Sequence, residues 1–219
     1  MNLSWYKENK ISVDDSIGID EVGRGPLAGP VVAASVWISQ TSAIKLSDSD
    51  LVVRDSKKMS PFQRKKIVDW MKSQSPKDIK YSIASATVEE IDNLNILNAS
   101  LLAMERSHNS LDKSTKYILV DGNKAPHIKN ADILTIIKGD TQVLSIALAS
   151  IIAKEYRDNL MQQLSMEYPN YGWKTNVGYG SAKHIEAISK FGITQHHRKT
   201  FMPLKKQLDL EKKIKMFFC

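Results

Sequence analysis

Residues 18–32, GIDEVGRGPLAGPVV, set Asp20 and Glu21 side by side at the end of an apolar run and follow them with Gly23, Gly25 and Gly29. Adjacent carboxylates repel each other and cannot all stay ionised in a dry setting without counter-charge. Two further apolar runs end the same way, KYILVDGN (116–123) in Asp121 and ADILTIIKGD (131–140) in Asp140. If these runs are neighbouring strands pointing one way, four carboxylates meet at the edge of the sheet where parallel sheets bind ligands. Mg2+ or Mn2+ would resolve the repulsion, because these hard cations take carboxylate oxygens and keep positions open to water. Two such ions can clamp a phosphodiester, one at the attacking water and the other at the leaving oxygen. Any one of these aspartates taken singly is more often a turn former or a helix cap than a metal ligand. The threefold recurrence, once with a doubled acid, points to a site.

The rest of the chain has the opposite sign. Lys and Arg number 31 against 24 Asp and Glu, a net charge of +7 over 219 residues. That balance favours an anionic partner, nucleic acid first and an acidic membrane surface second. The glycines at 23–29 admit two readings. As a phosphate cradle the segment lacks the GK[ST] of a P-loop, and its spacing fails the dinucleotide fingerprint. Alternatively the glycines bring backbone amides close to a ligand, with Arg24 beside them for a phosphate or sugar. The only cysteine is Cys219, so neither an intrachain disulfide nor a CxxC metal site can form, as in a reducing compartment. The first ten residues, MNLSWYKENK, hold no apolar leader, and no run reaches membrane-spanning length. A cytoplasmic protein with no membrane attachment is expected.

Patterning supplies the elements that must position these acids. SIGIDEV (16–22) and PVVAASVWI (30–38) read as strands joined closely enough for an antiparallel hairpin. Ser60, Pro61 and Gln63 make a helix start with a capping box, and Thr87 with Glu90 makes another that opens a short helix. IKYSIASATV (79–88) is a third strand. In 95–111, Leu97, Leu101, Met104, His108 and Leu111 share a helical face. The continuous apolar runs ending in Asp121 and Asp140 suit strands buried on both faces. Residues 141–164 form a long helix whose first half carries Ala147, Ala149, Ser150 and Ala153 for close packing. The expectation is a mixed α/β sheet flanked by helices over 1–165, then a helical, basic region and tail over 166–219, as one structural unit.

These residues become specific when taken together. GIDEVGRGPLAGPVVAASV resembles the opening signature of the type 2 ribonuclease H family, ribonuclease HII. DSKKMS (55–60), EEIDNLNILNASLLAM (89–104), LVDGN (119–123), KGDTQVLSIALASIIAKEYRD (138–158) and NVGYGSAKHIEAISKFGITQHHRKTF (176–201) follow in the family's order. The resemblance implies a ribonuclease H-like fold with a C-terminal helical region. It implies endonucleolytic cleavage of RNA in RNA–DNA hybrids, including on the 5′ side of ribonucleotides embedded in duplex DNA, leaving 3′-hydroxyl and 5′-phosphate ends. It maps the metal-binding, catalytic acids onto Asp20, Glu21, Asp121 and Asp140, with two Mg2+ or Mn2+ ions during catalysis. It maps the ribose-reading element onto Gly23, Arg24 and Gly25, whose backbone meets the 2′-hydroxyl that separates RNA from DNA. The junction-sensing tyrosine falls on Tyr179, and phosphate contacts on Lys57, Lys58 and Lys154. Ser56, His184 and Arg198 lie in these blocks without an assigned role. His196–His197 stands where a single His is usual, and Ser181 where Thr is usual.

The tail QLDLEKKIKMFFC (207–219) lies beyond the blocks. QLDL and EKKIKMFF each resemble sliding-clamp-binding patterns, and the same residues fit an amphipathic helix folded on its own domain. A monomer is expected. The competing functions are another metal nuclease of the superfamily, such as a junction resolvase or ribonuclease HIII, and a non-catalytic nucleic-acid binder. The third subtype carries an N-terminal extension, whereas here the Asp–Glu pair arrives by residue 20. A non-catalytic binder would show itself by losing one of the four acids.

Overall fold

The computed structural model describes residues 3–206, and the tail patterns at 207–219 lie outside them. Ser16–Val22 forms β1, buried through Asp20, and Val31–Ile38 forms β2, buried throughout. The two pair antiparallel, with Gly18 opposite Val36 and Glu21 opposite Ala33. Ile79–Ala86 forms β3, Tyr117–Asp121 β4 and Asp132–Ile136 β5, in the sheet order β3-β2-β1-β4-β5. β1 and β4 run parallel with Ile19 beside Val120, and β4 and β5 run parallel with Asp121 beside Ile136. The hairpin, the mixed sheet and the three parallel neighbours are as the apolar runs predict.

The helices are α1 (Ser4–Glu8), α2 (Gln40–Ser47), α3 (Pro61–Ser73), α4 (Val88–Asn109), α5 (Leu144–Glu167), α6 (Trp173–Asn176) and α7 (Ala182–Phe191). Both predicted capping boxes form: Ser60 with Gln63 starts α3, and Thr87 with Glu90 starts α4. The two expected helices lie within α4 and meet at a break at Asn95 (φ 67°, ψ 164°), whose side chain caps the second by accepting from Leu97 N and Asn98 N. None of the described helices is long and apolar enough to cross a membrane.

Two expectations need correction. β5 is an edge strand with no fully buried residue, not a strand buried on both faces; it pairs with β4 on one side only. Asp140 is not at a strand end. β5 stops at Ile136, and Asp140 sits on a 3-10 turn, Gly139–Thr141, entered through a left-handed Lys138 (φ 58°). An apolar run cannot distinguish a strand from the turn that continues it.

The chain forms two compact units built from interleaved segments. The first comprises the chain up to Val22, Val32–Ser85 and Ser100–Arg157. The second comprises Gly23–Val31, Ala86–Ala99 and the chain from Asp158 onward. In the first unit the sheet packs on α5 and α3. Val32, Ala34, Val36, Ile38 and Leu119 meet Leu144, Ala147, Leu148 and Ile151, together with Ile67, Val68 and Met71. Aliphatic side chains buried in this way contribute about 1.5–3 kcal/mol each, enough to offset an unfavourable polar group at the sheet's edge. Tyr6 reaches the start of α5, its hydroxyl 2.9 Å from Ser145 Oγ and accepting from Ser145 N. The second unit has its own core, in which Leu27, Ala28, Met161, Tyr171, Trp173, Ile188 and Leu204 pack together.

β1 and α5 meet through Gly18. A Cβ there would collide with the backbone of Ser145 and Ile146 and with the Ser145 hydroxyl. Because backbone cannot yield as a flexible side-chain tip can, Gly18→Ala should cost about 3 kcal/mol or more, read as a lowered urea midpoint at unchanged slope.

Candidate active site

The pleat of β1 sends Ile17 and Ile19 to one face and Gly18 and Asp20 to the other, against α5. Asp20 is 5% exposed and accepts hydrogen bonds from Ser150 on α5 and, at 2.7 Å, from Glu21 N. Continuing the parallel register one residue past Ile19–Val120 sets Asp121 beside Asp20. Asp121 Oδ1 accepts from Gly139 N at 2.7 Å, which ties the end of β4 to the turn that carries Asp140. Glycine leaves room for that approach: a Cβ on Gly139 would lie 2.7 Å from Ile146 Cδ1 and 3.3 Å from Ile136 Cβ, so that the Ile146 side chain would have to shift.

The electrostatics link the acids into one set. Burial pushes the Asp20 carboxyl well above the usual carboxylate range, and the charges of Glu21 and Asp121 add to the push. Burial also raises Asp140, followed by the charges of Asp121 and Asp55, with Lys57 opposing. Asp121 thus acts on both partners. Among the described residues no three His, Cys, Asp or Glu side chains form a ready-made metal cage. The donor set nonetheless fits Mg2+ or Mn2+: hard oxygens under mutual repulsion, of the kind that bind such ions through one or two carboxylates, water and substrate phosphate.

Lys57 and Lys58 occupy a 3-10 turn, Ser56–Lys58, capped by the Asp55 side chain, which accepts from Lys57 N at 2.9 Å. Lys57 acts on Asp140, whereas Lys58 is largely exposed and pairs loosely with Asp55 at 4.0 Å. Lys154 is half-buried on α5. Asp55, Ser56 and Ser150 belong to this acid set and are the residues that sequence reasoning misses or leaves without a role. Their signal is faint, since Ser150 reads as one more small packing residue.

Gly23, Arg24, Gly25 and Tyr179 belong to the second unit. There the Tyr179 ring lies against Gly25, so that a Cβ on the glycine would sit 3.3 Å from Tyr179 Cε1. Arg198, fully buried, holds the glycine segment: its guanidinium donates to the carbonyls of Gly23 at 2.6 Å, Arg24 at 2.9 Å and Gly29 at 2.8 and 2.9 Å. Tyr179 is held from behind. His184 Nδ1 donates to the Tyr179 carbonyl at 2.8 Å, leaving its Nε2 to accept from Trp173 Nε1 and from His197 Nε2. His197 Nδ1 in turn accepts from Thr194 N. Both rings must be neutral for this pattern, and burial, followed by His184 and His196, lowers His197 to about 4. Ser181 caps α7 by accepting from His184 N, a task the hydroxyl of the more usual Thr also performs.

A mixed five-stranded sheet with carboxylates at the ends of its central parallel strands defines a ribonuclease H-like protein. The ribonuclease HII family signature matches residues 17–204. A ribonuclease HII of Ruegeria sp. (strain TM1040) is 46% identical over 191 residues, 87% of this chain and 79% of that protein. The crystal structure of the ribonuclease H2 from Pyrococcus horikoshii OT3 superposes with a TM-score of 0.72 at 27% identity, covering 87% of this chain and 95% of that one. The structure of Bst-RNase HIII in complex with Mn2+ shares the fold at 20% identity and a TM-score of 0.70, covering 97% of this chain and 75% of that one. The chain belongs to the ribonuclease HII family, nuclease hydrolases acting on RNA in RNA–DNA hybrids.

Asp20 is higher in pKa folded than unfolded, so between those two values the folded chain binds the extra proton. Stability of the metal-free protein therefore rises as pH falls through that window, and Asp20 costs stability at neutral pH. Asp20→Asn should raise the Tm in EDTA at pH 7.5, each ~1 kcal/mol relieved adding about 2–4 °C, and the gain should shrink as the pH is lowered.

Proposed function

We propose that this chain is a metal-dependent endoribonuclease that cuts the RNA strand of hybrids and also nicks duplex DNA on the 5′ side of a single embedded ribonucleotide. The products are 3′-hydroxyl and 5′-phosphate ends. The observation that carries the reading is the run of mutually repelling carboxylates at the ends of β1 and β4, with Asp121 acting on both Asp20 and Asp140. Asp20, Glu21, Asp121 and Asp140 hold Mg2+ or Mn2+ in this reading, two ions during turnover. Bound there, the cations supply an activated water and charge stabilisation for the departing 3′-oxygen.

The protein's own groups do the rest. Lys57 stands near Asp140 and meets a substrate phosphate, with Lys58 and Lys154 as further backbone contacts. In the second unit, Arg198 occupies the carbonyls of Gly23 and Arg24. Donors are then what this stretch of backbone has to offer a 2′-hydroxyl, and Arg24 adds charge for phosphate or sugar. Tyr179, half-exposed against Gly25, stacks on the sugar at the ribonucleotide–deoxyribonucleotide step. The chain acts as a monomer in the cytoplasm.

The test is an end-labelled DNA duplex carrying one ribonucleotide, incubated with enzyme and Mg2+ or Mn2+. A single nick 5′ of the ribonucleotide is expected. Asp121→Asn should lower kcat by at least about 10³-fold while gel-shift affinity for the duplex stays within a few fold. Cleavage of long hybrids alone, or full activity in Asp121→Asn, contradicts the reading.

A further inference from the structure

Asp20 is fixed by more than its strand. Ser150, on α5 and 7% exposed, donates to its carboxylate, and Ser150 Oγ lies 2.9 Å from the hydroxyl of Ser56, itself 2% exposed. The direction of this chain is forced. A carboxylate that carries a cation can only accept, so the single Ser150 proton goes to Asp20. The Ser56 proton then goes to Ser150 Oγ.

The far end of the chain is anchored. Asp55 caps the turn that carries Ser56. Arg64, buried on α3, donates to the carbonyl of Met59 at 2.9 Å and reaches Glu155 on α5 at 3.5 Å. The turn and α5 are thereby held at a fixed spacing, and the two hydroxyls with them. The two hydroxyls are buried, so no solvent molecule stands ready to replace either one when it is lost.

We propose that Ser56 and Ser150 form a directed hydrogen-bond relay that fixes the rotamer of Asp20 for cation binding, making both serines positioning residues for the reaction. The inference rests on the metal-dependent reading of the acids. Partners that orient a metal-binding side chain are typically worth 10–100-fold in metal affinity. A relay also has a signature that independent packing lacks: removing the middle member makes the outer member irrelevant.

The test titrates Mn2+, by the loss of its free-ion EPR signal, into wild type, Ser150→Ala, Ser56→Ala, the double variant and Asp121→Asn. Circular dichroism establishes that each is folded. Ser150→Ala should weaken Mn2+ binding about 10-fold or more and Ser56→Ala by a smaller but measurable factor, with the double variant matching Ser150→Ala. The Mn2+ concentration for half-maximal cleavage should rise in step while KM for the nucleic acid stays constant. If Asp121→Asn loses Mn2+ but the serine variants bind as wild type does, the relay is wrong and the metal reading stands. Multiplicative losses in the double variant also overturn it. If wild type binds no Mn2+, the metal reading fails and the relay with it. Should Ser150→Ala not fold, Ser56→Ala decides alone, since a relay predicts weaker Mn2+ binding there and a packing role predicts none.

Discussion

The repulsion between the buried Asp20 and the half-buried carboxylates beside it at the ends of β1 and β4 is the interaction around which the first unit is built. A chain free to relax would separate Asp20 from Asp121 or expose both to water. Here the parallel register sets them side by side, Gly18 lets α5 press directly on β1, and the aliphatic core between sheet and helix resists any opening. The strain stays local because everything behind it is well packed. This is the trade expected at a functional centre, where fold stability is given up for a charge arrangement that a bound cation would relieve.

The second unit solves a different problem, that of presenting a short glycine-rich segment in one conformation. Glycines make close approach possible and rigidity difficult. Arg198 compensates by tying three of the segment's carbonyls with one planar group, and the neutral His184–His197 pair does the same for the carbonyl of Tyr179. A lysine, a point donor on a flexible stem, could not reproduce that fork. The same economy recurs in the first unit, where single hydroxyls and one guanidinium fix the surroundings of Asp20.

Much of this is legible in one dimension, for reasons that can be named. Strands β1, β2 and β4 announce themselves because they are buried and apolar, and two helix starts because capping boxes are local chemistry. The acids stand out because charge at the end of an apolar run is costly. What escapes depends on distant partners or on backbone geometry. Nothing local distinguishes the β5 strand from the turn that carries Asp140. Ser56 and Ser150 become a pair only when the turn before α3 meets α5, 94 residues away in sequence. Arg198 finds its acceptors 169 to 175 positions earlier, a separation no pattern of spacing encodes. The interleaving of the two units, with Gly23–Val31 belonging to the second while β1 and the rest of β2 belong to the first, is likewise a property of the folded chain rather than of composition.

The central claim is that divalent cations resolve the repulsion between Asp20 and Asp121, and anomalous scattering from a crystal soaked in Mn2+ tests it most directly. The account predicts an anomalous peak within bonding distance, about 2.0–2.6 Å, of oxygens from both Asp20 and Asp121. Mn2+ bound elsewhere on the protein, with no peak at either carboxylate, would contradict it.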